Sequence, residues 1–141
     1  MRIQLEKLSN KYGIQLMPPA PADLREEAFL SLEMPEPLRQ FYNITNGITH
    51  EWFRIPPISD PDRIKETWNS IQRINDPGTS KYLADETRSW QRFLVFAELS
   101  GPDYSVFDRE RSTIWYSEGD EKKAVPIKNI DCLFCHINDF I

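Results

Sequence analysis

The chain has 141 residues, room for one domain with a real core and too few for two ordinary ones. Its 17 basic and 22 acidic residues give a net charge of −5, without the cation surplus a dedicated nucleic-acid binder uses to neutralise phosphates. A hydrophobic fraction of 40% with 4 Trp, 5 Tyr and 8 Phe is too rich for a disordered chain, and 5 glycines against 11 prolines leave little for Gly-rich phosphate loops.

Ile3, Leu5 and Leu8 predict a short opening helix ending near Gly13, and Met17-Pro18-Pro19-Ala20-Pro21 then forbids its continuation. From Asp23 to Leu32 the apolar Leu24, Ala28 and Leu32 fall at helical spacing behind the acidic Asp23, Glu26 and Glu27. A further helix is expected from Pro35, where proline in a first turn loses no hydrogen bond. Leu38, Phe41, Tyr42 and Thr45 share its inner face, with Asn46-Gly47 as a left-handed stop. Asp60 reads as an N-cap with Pro61 behind it, opening one helix through Ile64, Trp68, Ile71 and Ile74. That helix should end at Asn75-Asp76-Pro77-Gly78, and Thr79 to Gln91 fits either another short helix or a loop.

The second half changes period. Phe93-Leu94-Val95-Phe96-Ala97 is apolar throughout, as a central strand covered on both faces would be. Turns at Gly101-Pro102-Asp103 and Asp108 to Ser112 separate it from strands at Tyr104–Phe107 and Thr113–Tyr116. Ser117 to Lys123 is expected as a polar loop, and Ala124 to Ile127 as a strand confined to an edge by Pro126. A closing helix is expected from Lys128 to Phe140. Short antiparallel strands between helices give an α+β class, a β-meander packed with N-terminal helices and a C-terminal helix, in a single domain over residues 1–141.

Three blocks in this order resemble the SUKH superfamily, which includes a yeast cell-wall regulator and many bacterial immunity proteins. The first is Leu32-Glu33-Met34-Pro35-Glu36-Pro37-Leu38-Arg39-Gln40-Phe41-Tyr42 running into Asn46-Gly47; the second is Ile55-Pro56-Pro57-Ile58. The third is Phe93 to Ala97 with its hairpin to Trp115, then Ile127 and the final helix. Together they span most of the chain from about residue 24 to 140, and the Pro61-to-Arg92 region fits least well. The resemblance implies a binding protein, not an enzyme: an immunity protein that occludes a toxin domain, often a nuclease or deaminase. A regulatory adaptor docking a cellular enzyme is the alternative, and a small enzyme using Cys or carboxylate groups the third. An acidic partner suits a basic toxin, because complementary charge speeds encounter and opposes wrong pairings.

The chemistry-bearing residues offer little against that reading. His50-Glu51-Trp52 lacks the second histidine of a metalloprotease helix, and nothing orients a dyad of His50 with Cys132 or Cys135. Asp103 and Asp108 flank a predicted strand, where turn formation is the commoner role than acid–base work. On the closing helix Cys132, Cys135, His136 and Asp139 share the face opposite Ile130, Leu133, Phe134, Ile137, Phe140 and Ile141. That stripe has ligand types a metal could use, but small adaptable residues on a helix back explain it as well. No cofactor is expected. Trp68 and Trp115 are expected to face the core or cover the sheet, while Trp52 and Trp90 lie in connections. The expected partner-facing patch is Glu51, Trp52, Asp60 and Asp62 with Asp103 and Tyr104, which joins acid to aromatic. No run of about 18 apolar residues predicts a membrane span. Charges at Glu6, Lys7 and Lys11 argue against a secretory signal, and two closely spaced cysteines against a disulfide framework, so a cytoplasmic monomer or homodimer is expected.

Overall fold

In the computed structural model, residues 2–51, 53–76, 92–99, 103–118 and 121–126 are described. Their seven strands follow one another in space in chain order, all antiparallel: β1 (Gln15–Leu16), β2 (Ile48–Thr49), β3 (Phe53–Ile55), β4 (Phe93–Leu99), β5 (Tyr104–Asp108), β6 (Thr113–Glu118) and β7 (Glu121–Pro126). The helices α1 (Arg2–Tyr12), α2 (Ala22–Ser31) and α3 (Glu36–Tyr42) precede β2. A 3-10 turn (Pro61–Arg63), α4 (Ile64–Thr67) and α5 (Ile71–Ile74) come after β3. The α+β class and the meander are therefore present as expected; the expected closing helix lies outside the described residues, as do Thr79 to Gln91.

The meander is ordered by apolar alternation. Leu94, Phe107 and Ile114 stand in register across β4, β5 and β6, and all three are buried. Val95, Val106 and Trp115 form the row on the other face. A bulge between Val95 and Ala97 adds one residue to β4, and Phe96 meets Phe107 edge to face with ring centroids 6.3 Å apart. Against this sheet pack Leu5 of α1, Ala28 of α2 and Leu38, Phe41 and Tyr42 of α3, so helices and strands share one core. The Tyr42 hydroxyl donates to the Pro56 carbonyl at 2.6 Å, and burial pushes its pKa well above the usual tyrosine value.

Three expectations need correction. The first concerns Asn46-Gly47, which does not stop α3: the helix ends at Asn43 in a right-handed conformation. Gly47 has φ +108°, and a Cβ there would lie 2.6 Å from the Ile55 carbonyl oxygen. The glycine is needed for β2 to approach β3 closely, while Asn46 bonds both backbone groups of Ile58. The second concerns residues 60–74, which are not one helix. Asp60 does cap the 3-10 turn, accepting from the Asp62 amide at 3.0 Å. Ser70 then caps afresh, its Oγ accepting from the Arg73 amide at 3.1 Å, so the apolar spacing runs across a break. Third, Ser117, Glu118 and Glu121 to Lys123, expected in a loop, are strand residues: β6 and β7 pair from Thr113↔Pro126 out to Glu118↔Glu121, and ladder hydrogen bonds override the polar composition. One strand had no counterpart among the expected elements: β1, between Gly13 and Met17, pairs its two residues with β2.

The C-terminus of α2 is fastened to the sheet from a distance. Asp108, wholly buried, receives a two-pronged ion pair from Arg92, Nε to Oδ1 at 3.1 Å and Nη2 to Oδ2 at 2.9 Å. Its Oδ1 also accepts from the amides of Glu110 and Arg111 at 3.0 and 3.2 Å, which shapes the turn after β5. Burial alone would raise the Asp108 pKa; the Arg92 hydrogen bonds and these amides outweigh it and hold the carboxyl below the usual carboxylate range. That turn aims Arg109 at the carbonyls of Leu32 and Glu33 just past α2, with Nε 3.2 Å from the Glu33 oxygen.

Candidate protein-binding site

The most exposed large apolar side chains among the described residues are Leu30, Trp68 and Ile64, at 80, 55 and 49%. Two of them, Ile64 and Trp68, stand one helical turn apart on the segment between Asp60 and Asn75. That segment has little apolar core of its own, and side-chain hydrogen bonds hold it. The buried Thr67 hydroxyl accepts from the Asp60 amide at 3.0 Å and lies 2.9 Å from the Arg63 carbonyl. The Ile71 amide donates to the Pro57 carbonyl at 2.8 Å, and the Ser59 amide to Gln72 Oε1 at 3.0 Å. Arg54 donates to the Asn69 carbonyl at 2.7 Å while also pairing with Glu98. Asn75 then docks the end of α5 on β4, its Oδ1 accepting from the Val95 amide at 2.8 Å and its Nδ2 donating to the Val95 carbonyl at 2.7 Å.

This stitching makes a fixed platform for Trp68. The Arg73 guanidinium lies 4.5 Å from the Trp68 ring centre, a stacking that restricts the indole. Beside the pair is a cleft of about 320 Å³ lined by Ser59, Ile64, Trp68, Gln72, Arg73 and Asp76 among others. The exposed charges nearby are mixed in sign: Asp62, Glu66 and Asp76 against Arg63, Lys65 and Arg73. A rigid aromatic with a stacked arginine, ringed by polar groups, has the make-up of an interface anchor.

The expected partner patch is divided by the fold. Glu51 is exposed in the β2–β3 turn, and Asp103 and Tyr104 are half-buried where β5 begins. Because Phe53 pairs with Leu99, these two turns lie at the same end of the sheet. Trp52 lies outside the described residues. Asp62 is exposed, but Asp60 is buried with its carboxylate engaged in capping, and both belong to the turn reached beyond the other end of β3. Glu51 with Asp103 and Tyr104 is therefore one group and Asp62 another. Trp68, expected to face the core or cover the sheet, is exposed instead. The signal was Asn69-Ser70 directly after it, a polar pair whose serine restarts the helix and turns the indole outward.

Asp103 and Asp108 stand at opposite ends of β5, roughly 17 Å apart by strand rise, and the Asp108 carboxylate is committed to Arg92. His50 is half-buried, its amide donating to the Phe53 carbonyl at 2.9 Å. Among the described residues no group of three or more His, Cys, Asp or Glu side chains is placed to hold a metal ion; Cys132, Cys135, His136 and Asp139 lie outside them. No helix among the described residues is long and apolar enough to cross a membrane.

An α+β domain with an in-order antiparallel meander is the class these features define. A family model, that of the SMI1 / KNR4 family (SUKH-1), matches residues 18–130, and the chain belongs to this family. The match includes the Pro61-to-Arg92 region that fitted the resemblance least well, and so takes in the Trp68 platform. No curated protein and no solved structure matches the chain.

Proposed function

We propose that the protein is an immunity-type binding protein, which neutralises a cognate bacterial toxin domain in the cytoplasm by stoichiometric occlusion, without turnover and without a cofactor. Membership of the SMI1 / KNR4 family (SUKH-1) supports a reading of this kind. The observation that carries it on this chain is the Ile64–Trp68 pair, exposed on a platform hydrogen-bonded to Arg54, Pro57, Ser59 and Val95. A preformed anchor loses little entropy on docking, and a Trp of this kind contributes on the order of 2 kcal/mol when truncated from an interface. The net charge of −5 adds long-range attraction for a basic toxin, nuclease or deaminase, without choosing among them.

The test is co-expression with basic nuclease and deaminase toxin domains, any encoded beside this gene first, followed by purification. The expected result is rescue of growth and a 1:1 complex. Trp68→Ala should weaken binding by about 30-fold, that is, about 2 kcal/mol. A toxin left fully active, or no complex at micromolar concentration, overturns the immunity reading. A complex that forms while the partner enzyme stays active favours the adaptor role instead.

A further inference from the structure

Two non-glycine residues among those described have positive φ, Glu33 at +46° and Ser112 at +52°. They are 79 positions apart in the chain, yet each belongs to one side of a single contact. Glu33 closes the C-terminus of α2 in a turn where its own amide donates to the Leu30 carbonyl at 3.2 Å and the Met34 amide donates to the Phe29 carbonyl at 3.0 Å. This is the Schellman arrangement, and the position Glu33 occupies is the one glycine normally fills, since a Cβ is strained there. Ser112 closes the turn between β5 and β6. Arg109 of that second turn donates to the Leu32 and Glu33 carbonyls of the first. Asp108, gripped by Arg92, fixes the turn from behind, and the Arg109 amide donates to the Arg92 carbonyl at 2.9 Å.

Carbonyls at the end of a helix are short of donors, and a cation there is favoured by both hydrogen bonding and the helix dipole. Arg109 supplies both at the one corner of the helical layer that the local sequence leaves strained. Glu33 is exposed, whereas Met34, next to it, is only 3% exposed and belongs to the core. Strain held by one long-range clamp, beside a core residue, is the arrangement of an element with two states.

We propose that the α2–α3 corner and the β5–β6 turn form a clamped, strained joint that opens locally as a unit, with Arg109 as the clamp and the Arg92–Asp108 pair as its anchor. Closed, the joint seals Met34 and fixes the start of α3. Open, it relaxes Glu33 and uncovers Met34 while the sheet stays intact. The joint is independent of the Trp68 platform, so its failure would leave the proposed binding role standing.

Hydrogen exchange resolved at single amides tests this on the full chain. Glu33 and Met34 should exchange at least 10-fold faster than Val95 in the wild type. Arg109→Ala should speed Glu33 and Met34 by a further 10-fold or more and leave β4 within 2-fold. Glu33→Gly should slow both corner amides and shrink the effect of removing Arg109, because strain no longer drives opening. An equal effect of Arg109→Ala with and without Glu33→Gly, no effect, or a uniform rise across β4 overturns the proposal. Arg109→Lys, which keeps charge but not the fork, should fall between wild type and Arg109→Ala. If neither Arg109 variant folds, the corner is part of the global structure and the joint does not exist.

Discussion

The strands β4 to β6 are ordered by apolar contacts in register, whereas the segment from Asn43 to Asp76 adds side-chain hydrogen bonds to its buried Ile48, Phe53, Ile55, Ile58 and Ile71. In the strands, neighbouring apolar side chains hold the register: Leu94 against Phe107 and Phe107 against Ile114. In the segment, helices of four residues and strands of two or three are held by Thr45, Asn46, Thr67, Ser70 and Asn75 bonding to backbone. Two of these side chains imitate strand residues. Asn46 meets both backbone groups of Ile58, and Asn75 both backbone groups of Val95. The second case has a clear cause, since β3 pairs with β4 only at Leu99 and Glu98; further along, Asn75 satisfies the Val95 amide and carbonyl in place of a longer strand. Where side-chain hydrogen bonds share with Ile58 and Ile71 the work of fixing the chain, other large apolar residues are free to face outward, and Ile64 and Trp68 do.

If this contrast holds, substitutions in the two regions should fail differently. The largest effect is expected at Phe96→Ala, which empties a fully buried site against Phe107 and should cost about 4 kcal/mol by chemical denaturation. Asn75→Ala should cost about 3 kcal/mol, because it strands a buried amide and a buried carbonyl of Val95. Its loss should also free α5 from the sheet, seen as faster exchange in residues 71–75 than in β5. An apolar truncation of similar volume in the strands would show no such local signature.

Acid should act on the junction of helices and sheet through Asp108. Its pKa is lowered in the fold, so its contribution is complete above about pH 4, where an unfolded aspartate is ionised. The contribution fades as pH falls through the lower value that Asp108 has in the fold. Asp108→Asn should be less stable than the wild type at neutral pH, and the difference between them should narrow below pH 4 in acid titrations. A difference that stays constant across that range would contradict the ion-pair account. The smallest effect is expected at Trp68→Ala, within about 0.5 kcal/mol of wild-type stability despite the size of the residue removed. A cost of several kcal/mol there would mean that the indole is structural and would undo the contrast.

The same division decides what could be read from the sequence. Phe93 to Ala97 announced a covered central strand, and Leu38, Phe41 and Tyr42 announced the inner face of α3, because burial leaves a period. Capping at Asp60 was legible from Asp60-Pro61, a local interaction with a local signature. The break at Ser70 was not, since Ile64, Trp68, Ile71 and Ile74 keep helical spacing straight through it. In the strand from Glu121 to Pro126 the part from Ala124 was expected, while its start was hidden by Glu121, Lys122 and Lys123, whose composition is that of a loop. The turns carrying Glu51 and Asp103 lie at one end of the sheet, while Asp60, grouped with them for its charge, is buried. A carboxylate that caps its own turn can be buried without a cationic partner, and sequence gives no sign of which aspartates do so.

The order of the sheet also bears on how the chain assembles. Every strand pairs with its neighbour in sequence, so most pairings close short loops and should form early and quickly. Two junctions are different: β1 and β2 meet across the stretch from Met17 to Gly47, and β3 and β4 only after the longer one from Pro56 to Arg92 has been looped out. Closing that longer loop is the slow, entropy-limited step expected for this topology. Asn75, which reaches β4 from within the loop, shortens it before β3 arrives. A folding rate that drops when Asn75 is removed, with unfolding little changed, would place that contact in the transition state.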